Sequence, residues 1–145
     1  MRLKKYTDYA LRVMVYVGST EDGELSSIKE ISNVFNISQN HLSKVVFQLG
    51  KLELVDTVRG RNGGIRLSKK PEDINIGYVV RKMEEDFILV ECFDGGSDQC
   101  VISPSCKLKH ALNEALRAFL GVLDQYTLGD LLSNPNELRA LMDMK

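Results

Sequence analysis

Between Ser27 and Leu67 the chain sets two short amphipathic segments around a four-residue turn and follows them at once with a glycine-rich hairpin, an order of elements that few folds accommodate. Ser27 stands three residues before Glu30, so hydroxyl and carboxylate can each satisfy an N–H at a helix start, ahead of the apolar Ile28, Ile31 and Val34. This predicts a helix ending near Phe35. Phe35-Asn36-Ile37-Ser38 forms the turn, and Ser38 can cap a second helix whose Leu42, Val45, Val46 and Leu49 fall at i, i+3, i+4 and i+7. Gly50 is expected to close it. Leu52, Leu54, Val55 and Val58 lead into Arg59-Gly60-Arg61-Asn62-Gly63-Gly64, and Ile65-Arg66-Leu67-Ser68 alternates in return, a β-hairpin with an Asn-Gly turn signal and a basic tip. Helix, turn, capped helix and hairpin in this order make a winged helix.

The flanking regions read as helical. Leu3, Tyr6, Ala10, Val13 and Val17, with Leu11 and Met14, recur at helical spacing and predict a first helix over about Lys5 to Gly18. Pro71 to Asn75 form a link, and Ile76 to Met83 are expected as a helix capped by Asn75. Phe87 to Glu91 fit a short strand or a helix end equally well. A polar segment containing all three cysteines follows, then a long apolar helix over about Lys107 to Leu123 with Leu108, Leu112, Ala115, Leu116, Phe119, Leu120 and Leu123. A short helix capped by Asn134 is expected at the end. The fold class is mostly α with a small β-hairpin wing. Residues 1–75 are expected to form a winged helix-turn-helix domain, and residues 76–145 a cysteine loop with the long C-terminal helix.

A chain of 145 residues, 43% hydrophobic, buries roughly 68–70% of its unfolded surface and does not need disulfides to stabilise its core. Three cysteines, an odd number, argue against a disulfide framework. No uncharged apolar run approaches the ~18 residues that span a bilayer, and Met1-Arg2-Leu3-Lys4-Lys5 is followed by Asp8 and Arg12 where a signal peptide would be apolar. The expectation is a cytoplasmic protein with no membrane partner. The net charge of -1 hides an asymmetry: residues 1–70 carry 12 Lys and Arg against 7 Asp and Glu, while residues 71–145 carry 7 against 13. The basic half holds the winged helix, and a polyanion is its natural partner.

The first turns of the second helix of the motif carry Gln39, Asn40, Ser43 and Lys44. Gln and Asn can pair bidentately with adenine, and Ser and Lys can reach bases or phosphates. Alone, such a face is an ordinary solvated surface. The hairpin changes the balance, because its glycines allow close approach to a phosphate chain and Arg59 or Arg61 can enter a narrow minor groove. Arg59, Arg61, Asn62 and Gly63 are therefore expected to contact double-stranded DNA beside the recognition helix. His41 is expected to be a capping or surface residue.

Cys92, Cys100 and Cys106 are spaced C-x7-C-x5-C in a segment with Gly95, Gly96, Ser97, Asp98, Gln99 and Pro104. Buried cysteines favour apolar helix faces, whereas a polar, glycine-rich loop presents its thiols. No pair has the C-x-x-C spacing of zinc knuckles or redox dithiols. Three thiolates from one loop suit an iron–sulfur cluster whose fourth ligand comes from elsewhere. Enzyme chemistry at a cysteine would need a base beside the thiol, but His41 lies in the recognition helix and His110 stands alone near Cys106. An enzyme is not expected.

Taken together, Lys5-Tyr6-Thr7-Asp8-Tyr9-Ala10-Leu11-Arg12, Ile37-Ser38-Gln39-Asn40-His41-Leu42-Ser43-Lys44, the Arg59 to Gly64 wing and the three cysteines resemble the NsrR family, nitric-oxide-sensing iron–sulfur repressors related to the IscR cluster-assembly regulators. The resemblance covers nearly the whole chain. It implies a homodimeric repressor in which the helix over Lys107 to Leu123 packs against its partner's copy, consistent with a helix having more apolar faces than one small domain covers. It implies a 4Fe-4S cluster, with 2Fe-2S as the alternative, held by Cys92, Cys100 and Cys106 and completed by Asp8 of the partner subunit. His110, Glu91, Asp94 and Asp98 are rival fourth ligands, His110 because IscR-type relatives use a histidine near the third cysteine. It further implies that nitric oxide is the signal and that the regulated genes serve nitric oxide detoxification and nitrite or nitrate metabolism. The alternative is a winged-helix regulator sensing redox state through bare thiols or zinc.

Overall fold

The structure, a computed structural model, describes residues 1–95 and 100–144. Its helices are α1 (Lys5–Gly18), α2 (Ile28–Phe35), α3 (Gln39–Lys51), α4 (Ile76–Met83), α5 (Lys107–Leu123), α6 (Leu128–Leu131) and α7 (Pro135–Leu141), and its strands are β1 (Val55–Val58) and β2 (Gly64–Leu67). It is a mostly helical winged helix-turn-helix fold with a two-stranded hairpin.

The expected caps form at the head of the motif. Ser27 and Glu30 make a reciprocal capping box on α2, and Ser38 Oγ accepts the His41 N–H at 3.1 Å. Asn36, with φ at 53°, turns the chain from α2 into α3 in the left-handed region that asparagine tolerates. Helix α3 does not stop at Gly50. It runs to Lys51, and the reversal falls on Glu53, with φ at 58°. The Leu54 N–H donates to Leu49 O and the Glu53 N–H to Gly50 O, both at 3.0 Å, a Schellman closure that satisfies two late carbonyls without glycine at the left-handed position. Burial of Leu49 and Leu54 on either side of the reversal holds it in place.

The hairpin also differs from the Asn-Gly expectation. Val58 pairs with Gly64, leaving Arg59 to Gly63 as a five-residue loop rather than a two-residue turn. The positive φ, 108°, is at Gly60, whose carbonyl accepts the Gly63 N–H at 3.0 Å. A two-residue type I′ turn would need positive φ at both central residues, and Asn62 does not supply it. A Cβ at Gly63 would overlap the Val58 carbonyl oxygen, so close backbone approach fixes glycine there. Ser26 exchanges backbone hydrogen bonds with Ile65 at 2.9 and 2.7 Å, tying the wing to the start of α2.

Helix α1 is the hub. Its Ala10, Val13, Met14 and Val17 are buried, and it packs against α3, α4, β2 and α6. Leu42, Val45, Val46 and Leu49 of α3, Ile31 of α2, Ile65 of β2 and Val79 and Val80 of α4 complete the core. Each Val, Leu, Ile or Met among them contributes roughly 1.5–3 kcal/mol by leaving water.

Residues 87–91 adopt neither strand nor α-helix, and a 3-10 turn covers Glu91–Phe93. Two features lie beyond them. Helix α6, absent from the sequence expectation, starts at a Thr127–Asp130 capping box and buries Leu128, whose N–H donates to Ile74 O at 2.8 Å. At α7, Asn134 precedes the helix but its side chain caps no N–H. Pro135 occupies the first helical position, where its missing N–H would have no partner within the helix and its fixed φ suits a helix start. Arg139 Nε donates to Ser19 O at 2.6 Å, fastening α7 to the end of α1.

At the joint between α4 and α5, Arg81 Nη1 and Nη2 both donate to the Asp124 carboxylate, the Nη2 contact measuring 2.9 Å, and Asn75 Nδ2 donates to Asp124 O at 2.7 Å. The guanidinium holds the Asp124 carboxyl below its ordinary range, and the carboxylate raises Arg81. No helix among the described residues is long and apolar enough to cross a membrane.

Candidate functional site

Helix α3 turns its buried residues inward and leaves an outward stripe. At about 100° per residue, Asn40, Lys44, Phe47 and Lys51 project opposite Leu42, Val45, Val46 and Leu49, with Gln39 and Ser43 beside them. Gln39, Asn40, Ser43 and Lys44 are all exposed. Ser43 Oγ donates to Gln39 O at 2.8 Å, so its hydroxyl faces a partner as an acceptor. The amides of Gln39 and Asn40 can reach outward to base edges. Behind them His41 is half-buried, its ring 5.7 Å from that of Tyr6 and 4.8 Å from that of Tyr9. His41 thus braces α3 on α1.

Phe47 and Lys51 were not marked by the residue pattern. Phe47 is 68% exposed, with Lys51 Nζ 5.5 Å from its ring centroid. The phase that buries Leu42 and Leu49 already turned both residues outward, and that was the available signal.

In the wing, Arg59, Arg61 and Asn62 are exposed and Gly63 is half-buried against β1. Arg66, further along, is paired with Asp56 at 3.7 Å. A loop carrying two exposed guanidiniums, with a glycine on which no side chain fits, has the chemistry to place cations and backbone N–H groups against a phosphate chain.

Cys92 lies half-buried in the Glu91–Phe93 turn, Cys100 is exposed, and Cys106 is half-buried immediately before α5; all three are free thiols. The Lys109 N–H donates to Cys106 Sγ at 3.4 Å, so Cys106 caps the 17-residue α5. Among the described residues, no three His, Cys, Asp or Glu side chains gather into a group that would hold a metal ion. The structure sets the three cysteines along the segment that leads into α5, with Asp8 on α1 and His110 in the first turns of α5. Asp98 lies outside the described residues. Glu91 and Asp94 are exposed, and exposed His110 lines a surface cavity with Phe87, Ile88, Phe93 and Asn113.

Asp8 sits on α1 with both carboxylate oxygens engaged by Arg12, at 3.1 and 2.9 Å. The Arg12 guanidinium also lies over the rings of Tyr9, at 5.9 Å, and Phe35, at 5.8 Å. An i,i+4 pair this exposed adds only a few tenths of a kcal/mol, roughly 0.3–0.5, but it keeps a charged carboxylate directed along α1. The donor set fits an iron–sulfur cluster chemically: three soft thiols without disulfide partners, one at a helix N-terminus.

Helix α5 has no buried residue despite its composition. Leu108 and Val122 are 65% and 52% exposed, and Leu116 and Phe119 line an open groove with Leu3, Phe87, Ile88 and Leu89. An apolar helix face left this open marks an interaction surface.

Comparison with known proteins gives consistent results. Residues 3–134 match the model of the Rrf2 family, described as iron-dependent transcriptional regulator. The chain is 59% identical over 145 residues to the HTH-type transcriptional regulator NsrR of Oceanobacillus iheyensis, covering 100% of this chain and 99% of that protein. It is 57% identical, with the same coverage, to the HTH-type transcriptional regulator NsrR of Bacillus subtilis. Among solved structures, CymR, the global cysteine regulator of B. subtilis, superposes with a TM-score of 0.70 at 26% identity, over 92% of this chain and 97% of that one. T. potens IscR superposes with a TM-score of 0.73 at 24% identity, over 96% and 91%, a likeness of fold.

Proposed function

The chain belongs to the Rrf2 family of transcriptional regulators, and from that membership we propose that it is a cytoplasmic, homodimeric repressor whose hold on an operator depends on an iron–sulfur cluster and is released by nitric oxide. It is a regulator and not an enzyme. The observation that carries the reading is the joining, in one chain, of a winged helix with an open polar face to three free thiols on the segment that leads into a helix with no buried residue. In this reading residues 1–75 bind DNA, while residues 76–145 bind the cluster and pair the subunits. The regulated genes are those of nitric oxide detoxification and nitrite or nitrate metabolism.

Gln39, Asn40, Ser43 and Lys44 read base edges and phosphates in the major groove, and Arg59, Arg61, Asn62 and Gly63 hold the neighbouring backbone or minor groove. Cys92, Cys100 and Cys106 hold a 4Fe-4S cluster as thiolates, and Asp8 of the partner subunit is the proposed fourth ligand. Such a cluster, when bound, supplies iron that reacts with nitric oxide. The protein's part is to couple thiolate engagement to spacing. The cysteine segment is continuous with α5, and Asp8 lies on α1, which packs directly on α3. Engaged thiolates and carboxylate fix the two recognition helices to half-sites ~34–36 Å apart, and their release relaxes that distance.

Iron and sulfide analysis of anaerobically purified protein separates this reading from zinc or bare-thiol sensing. Zinc without sulfide, or no metal with operator binding intact, would support those alternatives. For the wing, the Arg59→Ala, Arg61→Ala double variant is expected to bind operator about tenfold or more weakly and with a shallower salt dependence, because fewer counterions are displaced. Gel shifts across a salt series check this, and undiminished affinity would remove the wing from the interface.

A further inference from the structure

The outward stripe of α3 is polar except at one position. Asn40 and Lys44 precede Phe47 by seven and three residues and Lys51 follows it by four, all on one side of the helix. Phe47 is 68% exposed, and the Lys51 ammonium lies 5.5 Å from its ring centroid, within cation–π range. A single exposed apolar side chain is ordinary on most surfaces. This one is framed by cations on the face that carries the base-reading amides. Phosphates lie at the rim of the DNA major groove, and the only apolar group on its floor is the thymine C5-methyl. An apolar ring between two lysines matches that arrangement of charge.

We propose that Phe47 is a specificity-determining residue that reads a thymine in each half-site by packing its ring on the C5-methyl group. The inference rests on the reading of α3 as the recognition helix. Lys44 and Lys51 are the flanking phosphate contacts, and the ring discriminates against cytosine, which lacks the methyl, and against purines, which place polar edges there.

The test uses full-length, cluster-loaded protein and a duplex selected by the wild type from a randomised pool, with each thymine in turn replaced by deoxyuridine, which removes only the methyl. Wild-type affinity is expected to fall about fourfold at one position per half-site, the effect of leaving one methyl-sized group unburied. Phe47→Ala is expected to bind the unmodified duplex at least about fivefold more weakly and to be indifferent to deoxyuridine at that position. Phe47→Leu, still apolar, is expected to keep part of the sensitivity. Equal wild-type affinity for every deoxyuridine duplex, or unchanged sensitivity in Phe47→Ala, would overturn the inference, as would loss of the dimer on Phe47→Ala, which would make the ring a contact between copies. Asn40→Ala is measured alongside. If it loses base preference while Phe47→Ala does not, the thymine contact alone falls. If both variants bind as the wild type does, α3 is not the reading helix, and the inference falls with that reading.

Discussion

Alanine in place of Cys92, Cys100 or Cys106 is expected to yield colourless protein, with iron and sulfide near background after anaerobic purification. Thiolates are the principal ligands of such clusters, and no spare cysteine exists among the three to replace a lost one. Cys106→Ala also removes the acceptor for the Lys109 N–H at the start of α5, so its effect is expected to be at least as large as the other two. The fold is expected to survive, since none of the three is buried in the core. Asp8→Ala is expected to act more mildly: a carboxylate oxygen is a harder, weaker ligand for cluster iron, so part of the absorbance persists while its coupling to DNA affinity is lost. Near-normal iron and sulfide in any one cysteine variant would assign the ligand set elsewhere.

Leu116→Glu is expected to produce monomer or aggregate where the wild type is expected to be a dimer. Leu116 lies at the middle of α5, half-buried in the groove with Phe119, on a helix that leaves Leu108 and Val122 exposed to solvent. A carboxylate introduced there would be unpaired within an apolar interface, at an effective cost of several kcal/mol, roughly 3–5 where a buried charge lacks its partner. Affinity for a palindromic operator is expected to fall by orders of magnitude, because two half-sites are then no longer held by one particle. Light scattering at micromolar concentration checks the mass, and a soluble dimer of this variant would place the subunit interface away from α5.

Much of this architecture is legible in the residues because its signals are local. The Ser27–Glu30 and Ser38 caps act within one turn, and α1, α2, α4 and α5 have the bounds their apolar spacing gives. The departures occur where tertiary packing overrides a local preference. Gly50 is a good stop signal, but burial of Leu49 and Leu54 carries the reversal on to Glu53, where a left-handed backbone is unfavourable for a non-glycine residue. Asn62-Gly63 is a good turn signal, yet the Val58–Gly64 pairing, fixed together with the Ser26 bridge, sets a longer loop. Helix α6 is four residues long, too short for periodicity to show, and its Thr127–Asp130 capping box was the readable trace. At the site, spacing marks three thiols as candidate ligands but says nothing of what assembles them, because the groups that would complete a metal site in this reading lie on two chains.

The most direct test titrates nitric oxide into the cluster-loaded wild type with operator DNA present, following cluster absorbance and operator gel shift in the same samples. Bleaching and release are expected to run in parallel, with free DNA appearing as absorbance is lost and no free DNA appearing in a nitric-oxide-free control. Operator binding that survives complete loss of cluster absorbance would contradict cluster-dependent repression and leave a constitutive DNA-binding protein with an unrelated thiol site.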